Sequence, residues 1–288
     1  MLDVALASCA PLPEPDPDQQ PLMDALAERG LRVETLAWDD ARVDWRRARL
    51  TVLRSTWNYP RRPREFLQWA ERTAAVSRLQ NPLEVVRQNL HKSYLLELER
   101  RGVPVVPTRL LRQGSATPLH EAAGDWERVV VKPAISAASL DTIRVGRDDF
   151  GRGEAHLQMI LADRDALVQP YLPSVEDVGE RALVYVDGAL THAVRKHPRF
   201  SAEEEVVSAA LPIADDERAL ALRALATVGQ ALLYARVDVA RDAAGRPMVM
   251  ELELIEPSLW LNVAPLGEES FARAVFGAVK RLAEEPLP

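Results

Sequence analysis

Two apolar segments near the carboxyl end, Tyr234–Arg241 and Pro247–Leu254, flank the turn Ala243-Ala-Gly-Arg246 and read as a β-hairpin. Pairing them about that turn sets Asp238 opposite Glu251 and Arg236 opposite Glu253. Period-two alternation then puts all four side chains on one face. Val249, Leu252, Leu254 and Ile255 make the second strand apolar enough to be central in a sheet. Like charges facing across strands destabilise a sheet unless something neutralises them, and a hard divalent cation with oxygen ligands does so directly. The competing reading is a solvent-washed acidic face with an Arg236–Glu253 ion pair.

The rest of the composition narrows what such a hairpin serves. In 288 residues, 36 Lys and Arg against 43 Asp and Glu give a formal charge of −7, which argues against a general nucleic-acid or membrane-surface binder. An anionic ligand must therefore meet a local cluster of positive charge. One cysteine, Cys9, excludes an intrachain disulfide framework and any multi-cysteine zinc site, and the five histidines show no HExxH spacing. No signal-peptide pattern or membrane-length apolar run is visible, so a reducing cytoplasm is expected. Lysine stands only at Lys92, Lys132, Lys196 and Lys280, and arginine fills every other basic position. A lysine kept in that background is modest evidence that a compact ammonium is wanted there.

Along the chain the pattern is α/β. Leu2–Ala7, Leu31–Leu36 and Leu50–Leu53 read as strands, with helices over Pro21–Arg29 and Pro63–Val76. Arg54-Ser-Thr-Trp-Asn-Tyr59 follows the third strand, where open α/β sheets hold ligands, although a loop with Trp57 packed on the next helix fits equally. Asn81-Pro82 marks a turn and boundary. A long helix is expected from Leu83 to Arg101, then a small α/β unit to Gln169, then longer strands at Glu180–Val186 and Ala189–Lys196 about an Asp187-Gly188 turn. A helix over Asp215–Leu232 and a closing helix over Ser270–Ala283 complete the reading.

Two other places carry chemical potential. Lys132 ends the strand Arg128-Val-Val-Val-Lys132 as a point charge suited to an anionic oxygen, or simply reaches solvent along its apolar stem; Lys92 on its helix is open in the same way. The stretch Val168–Glu180 reads as a hinge whose backbone edges take a planar base, or as a plain linker. There is no GxxxxGK[ST] loop, no GxGxxG after a strand and no GxSxG elbow, so a bound nucleotide is not held by a P-loop or Rossmann turn.

In order, a helix lysine, Val-Val-Val-Lys-Pro, Gln-Pro-Tyr-Leu-Pro, and Asp on one hairpin strand with Glu-x-Glu on the next resemble the ATP-grasp superfamily of carboxylate–amine ligases over roughly residues 84–265. Val168–Leu190 is similar to bacterial glutathione synthetase. Ser55-Thr-Trp-Asn-Tyr59, Asn89-x-x-Lys92, Val131-Lys-Pro133, His192-Ala-Val-Arg-Lys196 and Glu251-Leu-Glu-Leu-Ile-Glu-Pro-Ser258 resemble the family of the O-ureido-serine cyclo-ligase of cycloserine biosynthesis.

The resemblance implies an α/β ATP-grasp fold. It divides into an N-terminal α/β domain at 1–83, a small lid at 84–170 and a larger subdomain at 171–288 with the metal site, the latter two α+β units clasping ATP. It implies that Lys92 and Lys132 meet the α- and β-phosphates, that the backbone near Gln169, Tyr171 and Leu172 takes adenine, and that Glu176 or Glu180 takes ribose. Arg195 would stabilise the γ-phosphate and an acyl phosphate, helped by Arg236. Asp238, Glu251 and Glu253 would hold Mg2+, with Mn2+ as an alternative; relatives often carry Asn at the position of Glu253.

The activity implied is ATP-dependent activation of a small amino-acid-like carboxylate for attack by nitrogen, by ring closure of O-ureido-serine in particular. Arg54, Ser55 and Thr56 are candidates to grip the substrate, and Trp57 to shape its pocket. The partner is a small molecule, with no nucleic acid and no membrane, and self-association is left open. An amino-acid or peptide ligase and a nucleotide-binding relative without turnover are the alternatives. Ala134-Ile-Ser-Ala-Ala-Ser-Leu-Asp141 and Phe200–Ala210 depart from the pattern by lacking the glycines that relatives carry.

Overall fold

The computed structural model of the chain describes residues 1–137, 139–177, 179–197, 206–264 and 267–284. These residues form three four-stranded sheets. The first contains β1 (Leu2–Ser8), β2 (Val33–Ala37), β3 (Ala48–Leu53) and β4 (Arg78–Gln80), parallel throughout in the order β2-β1-β3-β4. β1 is buried along almost its whole length, which explains why it reads as an apolar run rather than an alternation. α1 (Gln19–Glu28) and α2 (Pro63–Ala74) bury Leu22, Leu26, Phe66 and Trp69 in the core of this part. Tyr59 stacks on Phe66 with ring centroids 4.7 Å apart, which fixes the loop after β3.

The expected helix from Leu83 to Arg101 is two helices, α3 (Leu83–Asn89) and α4 (Tyr94–Arg100). The break is held open from outside. The Lys92 N–H donates to Ala134 O at 2.8 Å instead of to a helical carbonyl, so Lys92 sits in a connecting turn. Asn89 completes the anchoring. Its Nδ2 donates to Leu252 O at 2.8 Å and its Oδ1 accepts the Leu254 N–H at 2.9 Å.

The second sheet contains β5 (Arg109–Leu111), β6 (Arg128–Pro133), β7 (Ile143–Gly146) and β8 (Ala166–Pro170), antiparallel in the order β5-β8-β6-β7. α5 (Leu119–Ala123) and α6 (Phe150–Leu161) cover one face, burying Leu119, Val129, Val131, Leu157 and Ile160 together. Gly153 allows α6 its close approach, since a Cβ there would lie 2.5 Å from Leu119 Cδ2 and 2.9 Å from Val145 Cγ2.

After the short α7 (Ser174–Asp177), the third sheet contains β9 (Glu180–Val186), β10 (Ala189–Lys196), β11 (Tyr234–Arg241) and β12 (Pro247–Glu253). It is antiparallel in the order β10-β9-β11-β12, so β11 is internal and buried from Tyr234 to Ala240. α8 (Asp215–Ala226) packs on β12 and stops short of the expected Leu232, and α9 (Gly267–Glu284) returns to lie against α1 and β3. Asn81, expected at a turn and boundary, is fully buried at the seam of the first and third sheets. Its Nδ2 donates to Tyr234 O at 2.8 Å and Leu254 O at 2.7 Å, and its Oδ1 accepts the Leu233 N–H at 2.8 Å. Among the described residues, no helix is long and apolar enough to cross a membrane.

Candidate active site

On the hairpin, Arg236 pairs with Glu253 and Asp238 with Glu251; Val239 then pairs with Val249, so Met250 is an extra residue in β12. The bulge brings the two acids of β12 onto the face that carries Asp238. Asp238, Glu251 and Glu253 each offer an oxygen, and these oxygens all lie within 4.8 Å of one another. A carboxylate-only donor set at that spacing fits a hard, oxygen-preferring dication.

Cations from four separate elements converge on these acids. Lys132, at the end of β6, places Nζ 2.6 Å from Glu251 Oε1, and Lys92 places Nζ 3.1 Å from Oε2. Lys196, on β10, lies 2.8 Å from Asp238 Oδ2 and 2.5 Å from Glu180 Oε1. Arg236 binds Asp238 through Nε at 2.7 Å and Nη2 at 2.8 Å, and also pairs with Glu253.

The protonation balance follows from these pairs. Burial opposes charge on Glu251, yet Lys132 and Lys92 together hold its carboxyl well below the usual range. Asp238 is likewise buried and likewise held low, by Arg236 and Lys196. Burial wins at Glu180, with Lys196 opposing and Asp238 adding, and its carboxyl is pushed up to about 7. It also wins at Glu253, which is raised despite Arg236. Lys92 stays charged against its burial because the Glu251 carboxylate lifts its pKa.

A cleft opens beside this cluster. Val106, Val130, Met250 and Leu252 give it an apolar slot next to the hinge residues Gln169, Pro170, Tyr171 and Leu172. The hinge is tied down on its far side, as the Tyr171 N–H donates to Arg128 O at 2.9 Å and Gln169 Nε2 to Thr108 Oγ1 at 2.8 Å. Ser136, Ala137 and Ser139 of the loop after β6 also face the cleft. Ser139 at φ +56° and Asp141 at φ +52° take left-handed backbone without glycine, so side chains occupy a turn whose geometry favours none. Ala138 of this loop, and residues 200–205 of the Phe200–Ala210 segment, lie outside the described residues.

The structure thus gathers Lys92, Lys132, Gln169, Tyr171, Leu172, Glu180, Arg236, Asp238, Glu251, Glu253 and Trp57 about one cleft. Five expected residues lie elsewhere. Arg195 is exposed on the opposite face of β10, beside Gly179, because strand alternation gives the inward position to Lys196. Glu176 turns away to pair with Arg144 and Arg128. Arg54 is buried against Asp18 at 3.5 Å and Pro257 O at 3.2 Å, Ser55 Oγ bonds Asp16, and Thr56 is buried with no partner for Oγ1 among the described residues. These three support the wall behind the cleft. Trp57 does line it, donating from Nε1 to Glu256 O at 3.0 Å.

Sequence reasoning missed Lys196, Tyr59 and Glu256. Lys196 carried a signal, being one of four lysines in an arginine-rich chain.

Residues 4–81 match the family model described as the N-terminal domain of D-cycloserine synthetase DcsG. The chain is 35% identical over 283 residues to cycloserine biosynthesis protein DcsG of Streptomyces lavendulae, covering 92% of this chain and 95% of that protein. The crystal structure of D-cycloserine synthetase DcsG superposes with a TM-score of 0.87 at 34% identity, covering 97% of this chain and 99% of that one. D-alanyl-alanine synthetase A of Vibrio cholerae shares the fold at a TM-score of 0.72 and 12% identity, covering 96% of this chain and 98% of that one. With the acidic hairpin, its lysines and the hinge assembled on one cleft, the chain belongs to the DcsG family of ATP-grasp enzymes and is an ATP-dependent carboxylate–amine ligase.

Proposed function

We propose that this ligase activates the carboxylate of a small amino-acid-like substrate as an acyl phosphate, which a nitrogen of the same molecule attacks to close a ring. The substrate class is that of O-ureido-serine, and the product that of cycloserine. The observation that carries the reading is Glu251 held between Lys92 and Lys132 at 3.1 and 2.6 Å. Without nucleotide, the one Glu251 carboxylate serves both ammonium groups and offsets one of their two charges. A triphosphate brings roughly four negative charges and takes over the ammonium groups, which frees Glu251, with Asp238 and Glu253, to hold a dication.

In this reading the adenine lies in the slot between Val130 and Leu252, against the hinge backbone at Gln169–Leu172. Glu180 is better placed for ribose than Glu176, since only Glu180 faces the cleft. Bound Mg2+ or Mn2+ supplies charge neutralisation at the β- and γ-phosphate oxygens. In this reading Lys196 and Arg236 meet the γ-phosphate, a role that the resemblance gave to Arg195 with Arg236 as helper. The substrate carboxylate oxygen attacks the γ-phosphorus and ADP leaves. The nitrogen bonded to oxygen then attacks the acyl carbon, loses its proton and expels phosphate; the carbamoyl group left on that nitrogen must be removed by water, as carbon dioxide and ammonia, before the ring is cycloserine. Residues 84–170 act as the lid that keeps water from the acyl phosphate, between an N-terminal domain at 1–83 and a metal-bearing subdomain at 171–288.

The test measures ADP and free phosphate released from Mg-ATP with each enantiomer of O-ureido-serine and with single and paired amino acids. Release of both products with O-ureido-serine alone is expected. Release only with amino-acid pairs replaces ring closure by peptide ligation, and ADP without free phosphate removes the ligation step.

A further inference from the structure

We infer that Glu256 is the subsite for the primary ammonium group of the amino-acid substrate. This rests on the function proposed above and concerns the part of the cleft wall contributed by the segment after β12 and the loop after β3. Glu256 follows β12 and faces the same cleft as Trp57, Tyr59 and Ser258, at 9% exposure. On the β9–β12 sheet, Glu180, Asp238, Glu251 and Glu253 each have a lysine or arginine within ion-pair distance. Glu256 has none among the described residues. The Tyr59 hydroxyl is close enough to favour its charged form, against its burial.

Its position is held from three sides. The Trp57 Nε1–H donates to Glu256 O at 3.0 Å, Arg54 Nη1 donates to the next carbonyl, Pro257 O, at 3.2 Å, and Tyr59 is stacked on Phe66. The backbone that carries this carboxyl is thus held in a buried wall, and a carboxyl there with no ion-pair partner among the described residues is costly in its charged form. Burial first, and the neighbouring Glu253 second, push its pKa up to about 8. What completes the site is a cation that arrives with the ligand.

The chemistry selects that cation. A metal needs several oxygen ligands, and those are gathered at Asp238, Glu251 and Glu253. The nucleotide carries no cation of its own and its base lies by the hinge. An α-amino acid whose carboxylate faces the phosphate-transfer centre carries an ammonium one carbon away. Glu256, three residues beyond Glu253, lines the same cleft and is near enough to Glu253 and Arg236 to feel their charges. The loop Trp57–Tyr59 thus contributes to specificity by holding Glu256, while Arg54 and Asp18 brace the loop that carries it.

The experiment compares wild type and E256Q by initial rates of ADP release from Mg-ATP, using O-ureido-serine and its analogue lacking the amino group. Wild type is expected to prefer the amino substrate strongly. E256Q should lose roughly 30-fold or more in kcat/KM for that substrate through KM, the size of effect seen when one partner of a buried charge pair is removed. It should lose little for the desamino analogue, so the preference collapses, while KM for ATP stays within about twofold and reports an intact fold. A preference that survives in E256Q overturns the inference. So does an equal fall in kcat for both compounds at unchanged KM, which would make Glu256 a proton acceptor instead. No ADP release by wild type with either compound refutes the proposed function itself, a result separate from both.

Discussion

Replacing Glu251 by Gln removes the one anion shared by Lys92 and Lys132. Their side chains are 10% and 8% exposed, so the two ammonium groups would face each other with little water to screen them. Breaking a buried ion pair from one side costs about 3–5 kcal/mol, and the low end applies because the amide oxygen still accepts from one lysine. At about 2–4 °C per kcal/mol for a chain of this size, the unfolding midpoint should fall by about 6–12 °C. The sign reverses for nucleotide. In wild type, phosphates must displace a carboxylate from the lysines, whereas in E251Q they meet two unpaired cations. ATP in EDTA should therefore raise the midpoint of E251Q by more than that of wild type, while ligase activity with magnesium is lost. Thermal unfolding with and without ATP measures both effects. A midpoint within about 2 °C of wild type, or a smaller nucleotide shift in E251Q, refutes the exchange of partners on which the proposed function rests.

Lys196→Ala should lower kcat by about 100-fold or more, whereas Arg195→Ala should change it less than about threefold, because only Lys196 reaches the acids; steady-state rates decide, and the opposite order restores Arg195 to the site. Asn81→Ala leaves the Leu233 N–H and the Tyr234 and Leu254 carbonyls without their partner at a buried seam, so urea unfolding should show a loss of about 3 kcal/mol; less than about 1 kcal/mol would mean the seam is held by packing alone. Glu256, raised from 4.5 to about 8 by burial and then Glu253, holds a proton in the folded chain that the unfolded chain releases. Its contribution is therefore full below the unfolded value and lost as pH rises through the folded one. Relative to E256Q, wild type should lose stability by up to about 1.4 kcal/mol per pH unit in that window; equal slopes between pH 5.5 and 7.5 would refute the raised carboxyl.

Much of the site was legible because it depends on short-range pattern. Alternation placed Arg236, Asp238, Glu251 and Glu253 on one face, and the observed pairing agrees, although the extra residue Met250 is needed to bring it about. The hinge could be found because prolines interrupt an apolar strand end. Arg195 was expected where the structure brings Lys196, because adjacent residues of a strand point to opposite faces and the sequence does not mark which face of β10 meets Asp238. The continuous helix over Leu83–Arg101 was misread for a related reason. Its periodicity is helical, but a hydrogen bond from Lys92 to Ala134, forty-odd positions away, outweighs it.

By itself, then, the sequence determined most of the strands and the acidic face of the hairpin, since each is fixed by residues within a strand or turn of one another. Only the tertiary structure decided that Lys92, Lys132 and Lys196 converge on those acids, that Glu176 and Arg195 turn away, and that Glu256 has no ion-pair partner among the described residues. Those are outcomes of packing three sheets together. Burial sets the cost of an unpaired charge, and which partner is close enough to offset it exists only once distant segments have met.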